Sequence, residues 1–187
     1  METRQPRLER AEEAVQSIIA AATNELLEEG LDSVTHRRVA ERANANLRST
    51  TYYFKSVKAL RREALKLAFS IDHNKREKAL ATLEQRLDKT LAEQILLFTY
   101  GPNRTVKNLA VTQQNVLTAA LDEEYADVIR QLQSDVESYV ARLLQLYENR
   151  KAARKVVLYL DGLVFEHVIS GGTTDIEGML REYLETA

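Results

Sequence analysis

The chain has 187 residues, 44% hydrophobic and 29% charged, with a formal charge of −2, the profile of a soluble protein of one or two domains with a proper core. It contains no Cys, which excludes disulfides, thiolate metal sites and cysteine nucleophiles, and no apolar run approaches the ~18 residues of a membrane span. Only six Gly and two Pro interrupt a sequence rich in Ala, Leu, Glu, Arg and Lys, so an all-α fold of about nine to ten helices is expected.

In chain order, a first helix is expected from Leu8 to Glu29, with Val15, Ile18, Ile19, Ala22, Leu26 and Leu27 recurring at helical spacing. Gly30 supplies its stop. Thr35 is placed to cap a short helix that turns Val39 and Ala40 inward. Ala43 to Asn46 reads as a turn and Leu47 to Tyr53 as a second short helix. Ser56 can cap a long fourth helix carrying Leu60, Leu65, Leu67 and Phe69 into the low eighties. Another helix ends at Tyr100, broken by Gly101-Pro102, with Pro102 suited to the first turn of the next. Tyr125, Ile129, Leu132, Val136, Tyr139, Leu143 and Tyr147 step by three or four residues, close to a heptad seam. After a break at Asn149 to Lys151, a helix with Val156, Val157, Leu160, Leu163, Val164 and Val168 runs to Gly171-Gly172. Thr174 with Glu177 forms a capping box for a last helix.

The charge is unevenly spread. Thr35 to Arg62 holds eight basic residues (Arg37, Arg38, Arg42, Arg48, Lys55, Lys58, Arg61, Arg62) against the single acid Glu41. That stretch carries +7 in a chain of −2, which leaves −9 on the remaining residues. A cationic island on an acidic protein commonly meets polyphosphate. Two short helices about a tight turn are how proteins place a helix in the DNA major groove. The plain alternative is a solvated helix face.

The segment VTHRRVAERA followed by ANANLRSTTYYFKSVKAL resembles the helix-turn-helix of the tetracycline-repressor (TetR) family of bacterial transcriptional regulators. The Tyr-x-Phe-x-Ser-x-x-x-Leu tail is met by Tyr52, Phe54, Ser56 and Leu60. LDGLVFEHVISG is similar to the family's penultimate helix, where a small residue such as Gly162 lets two helices approach. Three positions depart from the pattern: Asn44 stands at the turn glycine, Arg48 at an early glycine of the recognition helix, and Val57 at a basic position opening the fourth helix. Asn tolerates positive φ, so the turn is expected to survive.

The resemblance implies a three-helix DNA-binding head over residues 1–55 and a ligand-binding and dimerisation body over residues 56–187. In such a head Asn46, Leu47, Arg48, Thr51 and Tyr52 face base edges. Arg48 can read guanine with its fork, and Leu47 and the Thr51 methyl can meet a thymine methyl. Thr35, Arg37, Tyr52, Lys55 and Lys58 have suitable donors for phosphates. Arg4, Arg7 and Arg10 are candidates for a minor-groove arm. In the body, Phe69, Phe98, Tyr100, Gln113, Gln114, Asn115, Thr118, Tyr159, Phe165, Glu166 and His167 form the candidate ligand-contacting set. Tyr125, Ile129, Leu132, Val136, Tyr139, Leu143, Leu160, Gly162, Leu163 and Val164 are the candidate dimer interface.

Enzyme chemistry finds little to work with. The three His (36, 73 and 167) form no Glu-x-x-His pair, and no Walker loop, G-x-G-x-x-G or G-x-S-x-G occurs. No cofactor or metal is expected. The N-terminus METRQPRLER is too polar for a signal peptide, which suits a cytoplasmic protein. The expected function is a ligand-responsive dimeric regulator, by default a repressor, with a palindromic double-stranded operator and a small-molecule effector as partners. The alternative is a helical interaction or carrier protein that does not bind DNA.

Overall fold

The computed structural model describes residues 5–83 and 89–186, which form nine α-helices and no strands. They are α1 (Gln5–Glu29), α2 (His36–Arg42), α3 (Leu47–Tyr53), α4 (Val57–Leu83), α5 (Leu91–Tyr100), α6 (Val106–Ala120), α7 (Ala126–Leu146), α8 (Ala153–Ile169) and α9 (Ile176–Glu185), with a 3-10 turn at Leu31–Ser33. None is long and apolar enough to cross a membrane among the described residues. They divide into two compact units. The first runs to Ser70 and includes Gln114–Val128; the second holds Ile71–Gln113 and continues from Ile129. The compact units therefore do not follow a cut at residue 55, because the start of α4 packs with the helix-turn-helix.

In the first unit, Ile18, Ala22 and Leu26 of α1 meet Leu31, Val34, Val39, Ala40, Phe54, Leu60 and Leu65 in a buried core. Gly30 ends α1 at φ 95°, a left-handed conformation that favours glycine. The Thr35 hydroxyl caps α2 by accepting from the Arg38 N–H, and the Asn46 side chain caps α3 by accepting from the Arg48 N–H. Asn44 takes φ 49° in the turn between them, as the substitution of Asn for glycine requires. Ser56 accepts from the Ala59 N–H at the start of α4.

In the second unit, α5, α8 and α9 pack around Ile95, Leu96, Tyr139, Leu143, Val156, Leu160, Val164, Leu180 and Leu184. Two local expectations are corrected. The last helix is capped by Asp175, whose carboxylate accepts from Gly178 N–H at 2.9 Å, while the Thr174 carbonyl bonds the His167 ring. Pro102 lies in the loop before α6, and Thr105 accepts from the Asn108 N–H there instead. A reciprocal capping box does occur, at Thr90 and Glu93 ahead of α5.

Candidate nucleic-acid interface

The helix-turn-helix is built by packing one face of α3 and leaving the other bare. Thr50 is fully buried, and its hydroxyl donates to the Leu47 and His36 carbonyls, 2.8 and 3.4 Å away, tying α3 to α2. Phe54 closes the same core. The opposite face presents Leu47, Arg48, Thr51 and Tyr52 to solvent, with Tyr52 77% exposed. Exposing a leucine and a tyrosine together on a seven-residue helix gains the head nothing in its own stability. Asn46, Arg37, Lys55 and Lys58 are also exposed, and Thr35 is half-buried at its cap. Of the three arm arginines, Arg4 and the side chain of Arg7 lie outside the described residues, and Arg10 is exposed.

The cationic island is mostly neutralised from within. Arg37 pairs with Glu41 at 3.3 Å, Arg38 with Glu25 at 2.5 Å, and Arg42 with Glu25 at 3.2 Å and Glu28 at 2.6 Å. Lys58 pairs with Asp122 at 2.6 Å, Arg61 with Asp32 at 3.3 Å, and Arg62 with Asp127. Among the described residues, Arg48 and Lys55 alone of the eight have no such partner. Lys58 was expected to be a phosphate clamp; its ammonium is already held by a carboxylate. Hydrogen bonding to Asp122 pushes the Lys58 pKa up, and the same bond pulls the Asp122 carboxyl down.

Glu25 was not foreseen. Its side chain is 3% exposed and receives two arginines of α2. A carboxylate buried this deeply is tolerable only when paired, so Glu25 fixes the orientation of α2 on α1. The signal in the sequence is a charged residue at a core position of the first helix, in step with Ile18 and Ala22.

Asn115 is likewise structural. Its Oδ1 accepts from Leu31 N–H at 2.7 Å, and its Nδ2 donates to the Leu26 carbonyl at 3.0 Å, satisfying the end of α1 inside the first unit. It was expected among the ligand contacts; its amide is turned instead to the end of α1, and it does not line the pocket of the second unit. Phe69, Gln114 and Thr118 lie in this first unit too.

The second unit contains a pocket of about 330 Å³. Lys75, Arg76 and Ala79 of α4, Leu97 to Pro102 at the end of α5, and Thr112 of α6 line it. Phe98 and Tyr100 of the candidate ligand set are part of this lining. Tyr100 donates to Asp161 at 2.8 Å, with Gln113 nearby donating to the Asp161 carbonyl at 3.5 Å. Burial is the main reason that the Tyr100 hydroxyl and the Asp161 carboxyl are both pushed up. Tyr159 instead stacks on Tyr183 at 4.2 Å, and His167 bonds the Thr174 carbonyl at 2.7 Å, closing the α8–α9 turn. Phe165 and Glu166 are exposed on α8 and line no part of the pocket.

The candidate dimer residues divide sharply. Tyr125, Ile129, Tyr139, Leu143, Leu160, Leu163 and Val164 are buried within this single chain and have no surface to offer a partner. Tyr139, for example, bonds His73 Nδ1 at 2.7 Å through its hydroxyl. Leu132 and Val136 are half-buried and Gly162 is exposed, with nothing within 4 Å of where a Cβ would stand. What α8 does expose is Leu158 (59%), Phe165 (53%) and Ile169 (61%), which share one helical face with Gly162 at steps of four, three and four.

Residues 18–64 match the family of bacterial regulatory proteins described as the tetR family. The multidrug binding protein EbrR complexed with ethidium is similar to this chain with a TM-score of 0.68 and 25% identity, covering 91% of this chain and 96% of that one. The same protein complexed with proflavin gives 0.66 and 25%, covering 90% and 96%. A TetR-family member from Streptomyces coelicolor A3, SCO1917, gives 0.63 and 25%, covering 92% and 96%. No curated protein matches the sequence.

Proposed function

The chain is a member of the tetracycline-repressor family of bacterial regulatory proteins, and on that premise we propose that it is a ligand-responsive transcriptional repressor acting as a homodimer on a palindromic operator. One observation carries this reading: α3 leaves Leu47, Arg48, Thr51 and Tyr52 bare on a single face, with Lys55 beside them, and neither Arg48 nor Lys55 has an ion-pair partner among the described residues. Arg48 fits a guanine edge, and Leu47 with Thr51 fits a thymine methyl. Lys55, Thr35 and Tyr52 fit phosphates, and Arg37 does so by exchanging Glu41 for one. Lys58 joins them only by exchanging Asp122 for a phosphate.

The functional division falls near residue 55, with recognition before it and effector binding and pairing after it. The exposed α8 stripe of Leu158, Gly162, Phe165 and Ile169 supports self-association, since a glycine amid large apolar residues lets a second helix approach closely. The second-unit pocket supports an effector, and the ethidium- and proflavin-bound relative gives a precedent for planar aromatic ligands in this fold. A protein that works on operator DNA belongs in the cytoplasm.

Selection of binding sites from random duplex DNA with purified protein tests the proposal. The expected result is an inverted repeat, because two-fold protein symmetry imposes one. Recovery of no sequence, with no salt-sensitive duplex binding, would return the chain to the class of helical interaction proteins.

A further inference from the structure

We propose that α3 recognises one pyrimidine of each half-site by its C5-methyl group, through Leu47 and Thr51, so that 5-methylcytosine serves there as thymine does. The inference rests on the reading of α3 as the recognition helix and specifies the chemistry that it reads.

The bare face of α3 divides into two strips. Leu47 and Thr51 stand four residues apart and share one strip; Arg48 and Tyr52 share the next, about 100° further round the helix. Asn46, Arg48, Ser49, Tyr52 and Tyr53 frame a shallow depression of about 250 Å³, and neither Leu47 nor Thr51 belongs to it. Groups that hydrogen-bond through their side chains thus gather on one side of the face, and Leu47 with Thr51 lies on the other.

That other strip is apolar in effect. Leu47 is 48% exposed, so the core of the head leaves about half of it uncovered. A leucine side chain neither donates nor accepts a hydrogen bond. Thr51 carries a hydroxyl, but its proton is directed at the helix backbone, with the Arg48 and Leu47 carbonyl oxygens 3.1 and 3.2 Å away. A hydroxyl has a single proton. Thr51 therefore donates nothing to a base, and its methyl extends the apolar surface of Leu47.

The major groove offers such a strip one apolar feature, the C5-methyl of thymine; the other base-edge groups are donors or acceptors. Methylation of cytosine at C5 puts the same group in the same place. Thymine O4 and cytosine N4 differ beside it, but a leucine bonds neither. Arg48 and Lys55, exposed and without an ion-pair partner among the described residues, draw the phosphate-rich duplex to this same face.

The test uses the full chain and the duplex that site selection recovers, read by competition in fluorescence anisotropy. Each thymine of the half-sites is replaced in turn by deoxyuridine. At the position that responds, cytosine and 5-methylcytosine, each paired with guanine, are compared as well. Both comparisons differ by the methyl alone. At one position per half-site, thymine should bind about four-fold tighter than deoxyuridine, and on the order of fifteen-fold tighter when both halves are changed, the effect of burying one methyl per head. 5-Methylcytosine should exceed cytosine by a similar factor. Leu47→Ala should bring both ratios close to one. Thr51→Ser, which deletes a methyl and keeps the hydroxyl with its backbone bonds, should lower both. Ratios taken within one variant cancel any general loss of folding or affinity. A selected half-site without thymine, either ratio near one in the unmodified protein, or ratios unchanged in either variant would overturn the proposal. Duplex binding with ratios near one sinks the methyl inference alone; absence of salt-sensitive binding to any duplex sinks the regulator reading itself.

Discussion

At the scale of single residues, two polar side chains, Asn115 and Glu25, hold the first unit together, and neither advertises its role by type. Asn115 satisfies a donor and an acceptor at the end of α1 from 84 and 89 residues away. Asn115→Leu keeps the volume but orphans both, so unfolding should become easier by about 2–4 kcal/mol, read from urea melts. A change under about 0.5 kcal/mol would mean that water replaces the amide. His36 opens α2 with a buried, unpartnered Nδ1, and desolvation lowers its pKa. Its proton therefore favours the unfolded chain. Stability should be flat above the ordinary His range near ~6.5 and should fall as pH drops below it towards the lowered folded value. His36→Gln should flatten that part of the profile, and an unchanged urea midpoint profile in the variant would remove His36 from the account. Glu25 joins α1 to α2 because Arg38 and Arg42 both close on its buried carboxylate.

At the scale of elements, the short helices were legible and the long ones were legible only in outline. α2 and α3 follow from local chemistry: Thr35 and Asn46 cap them, Asn44 turns between them, and Thr50 with Phe54 marks the inner face. The fate of the cations was not legible, because the acids that take them stand at 25, 28, 32, 122 and 127, mostly far along the chain. Periodicity misled in α7 for a related reason. A near-heptad stripe states that one face is buried, and it cannot state whether the covering surface belongs to the same chain; Tyr139 and Leu143 turned out to face their own core. The pocket was half legible, since Phe98 and Tyr100 are aromatic but Lys75 and Arg76 look like any solvated helix face. For α3 the structure sharpens the expected mutational pattern. Arg48→Ala should cost roughly 1–3 kcal/mol on the selected site and little on random duplex. Lys55→Ala should weaken all duplexes alike and reduce the salt slope by about one per head. Lys58→Ala should do less than Lys55→Ala, because its charge is already shared with Asp122. Competition assays at two salt concentrations check all three, and a Lys58 effect exceeding that of Lys55 would show that the Asp122 pair opens freely on DNA.

At the scale of the whole molecule, self-association should depend on the α8 stripe and not on the seam expected along α7. If the chain pairs as proposed, Phe165→Glu or Gly162→Glu places a charge among apolar neighbours at that face and should leave it monomeric. Light scattering at micromolar concentration reads the outcome, and a dimer unmoved by both variants would transfer the interface to another surface. The neutralised island has a further consequence, for how such a protein spends its time in a cell. Attraction to bystander DNA scales with the number of phosphates a protein can neutralise, and here most of the candidates are committed to carboxylates of the same chain. On the proposed operator-binding reading, each visit to a wrong sequence should be correspondingly brief. The molecule should then sample DNA by many short encounters and linger only where the bare face of α3 finds base edges to match, with a quick search and small occupancy of irrelevant sites.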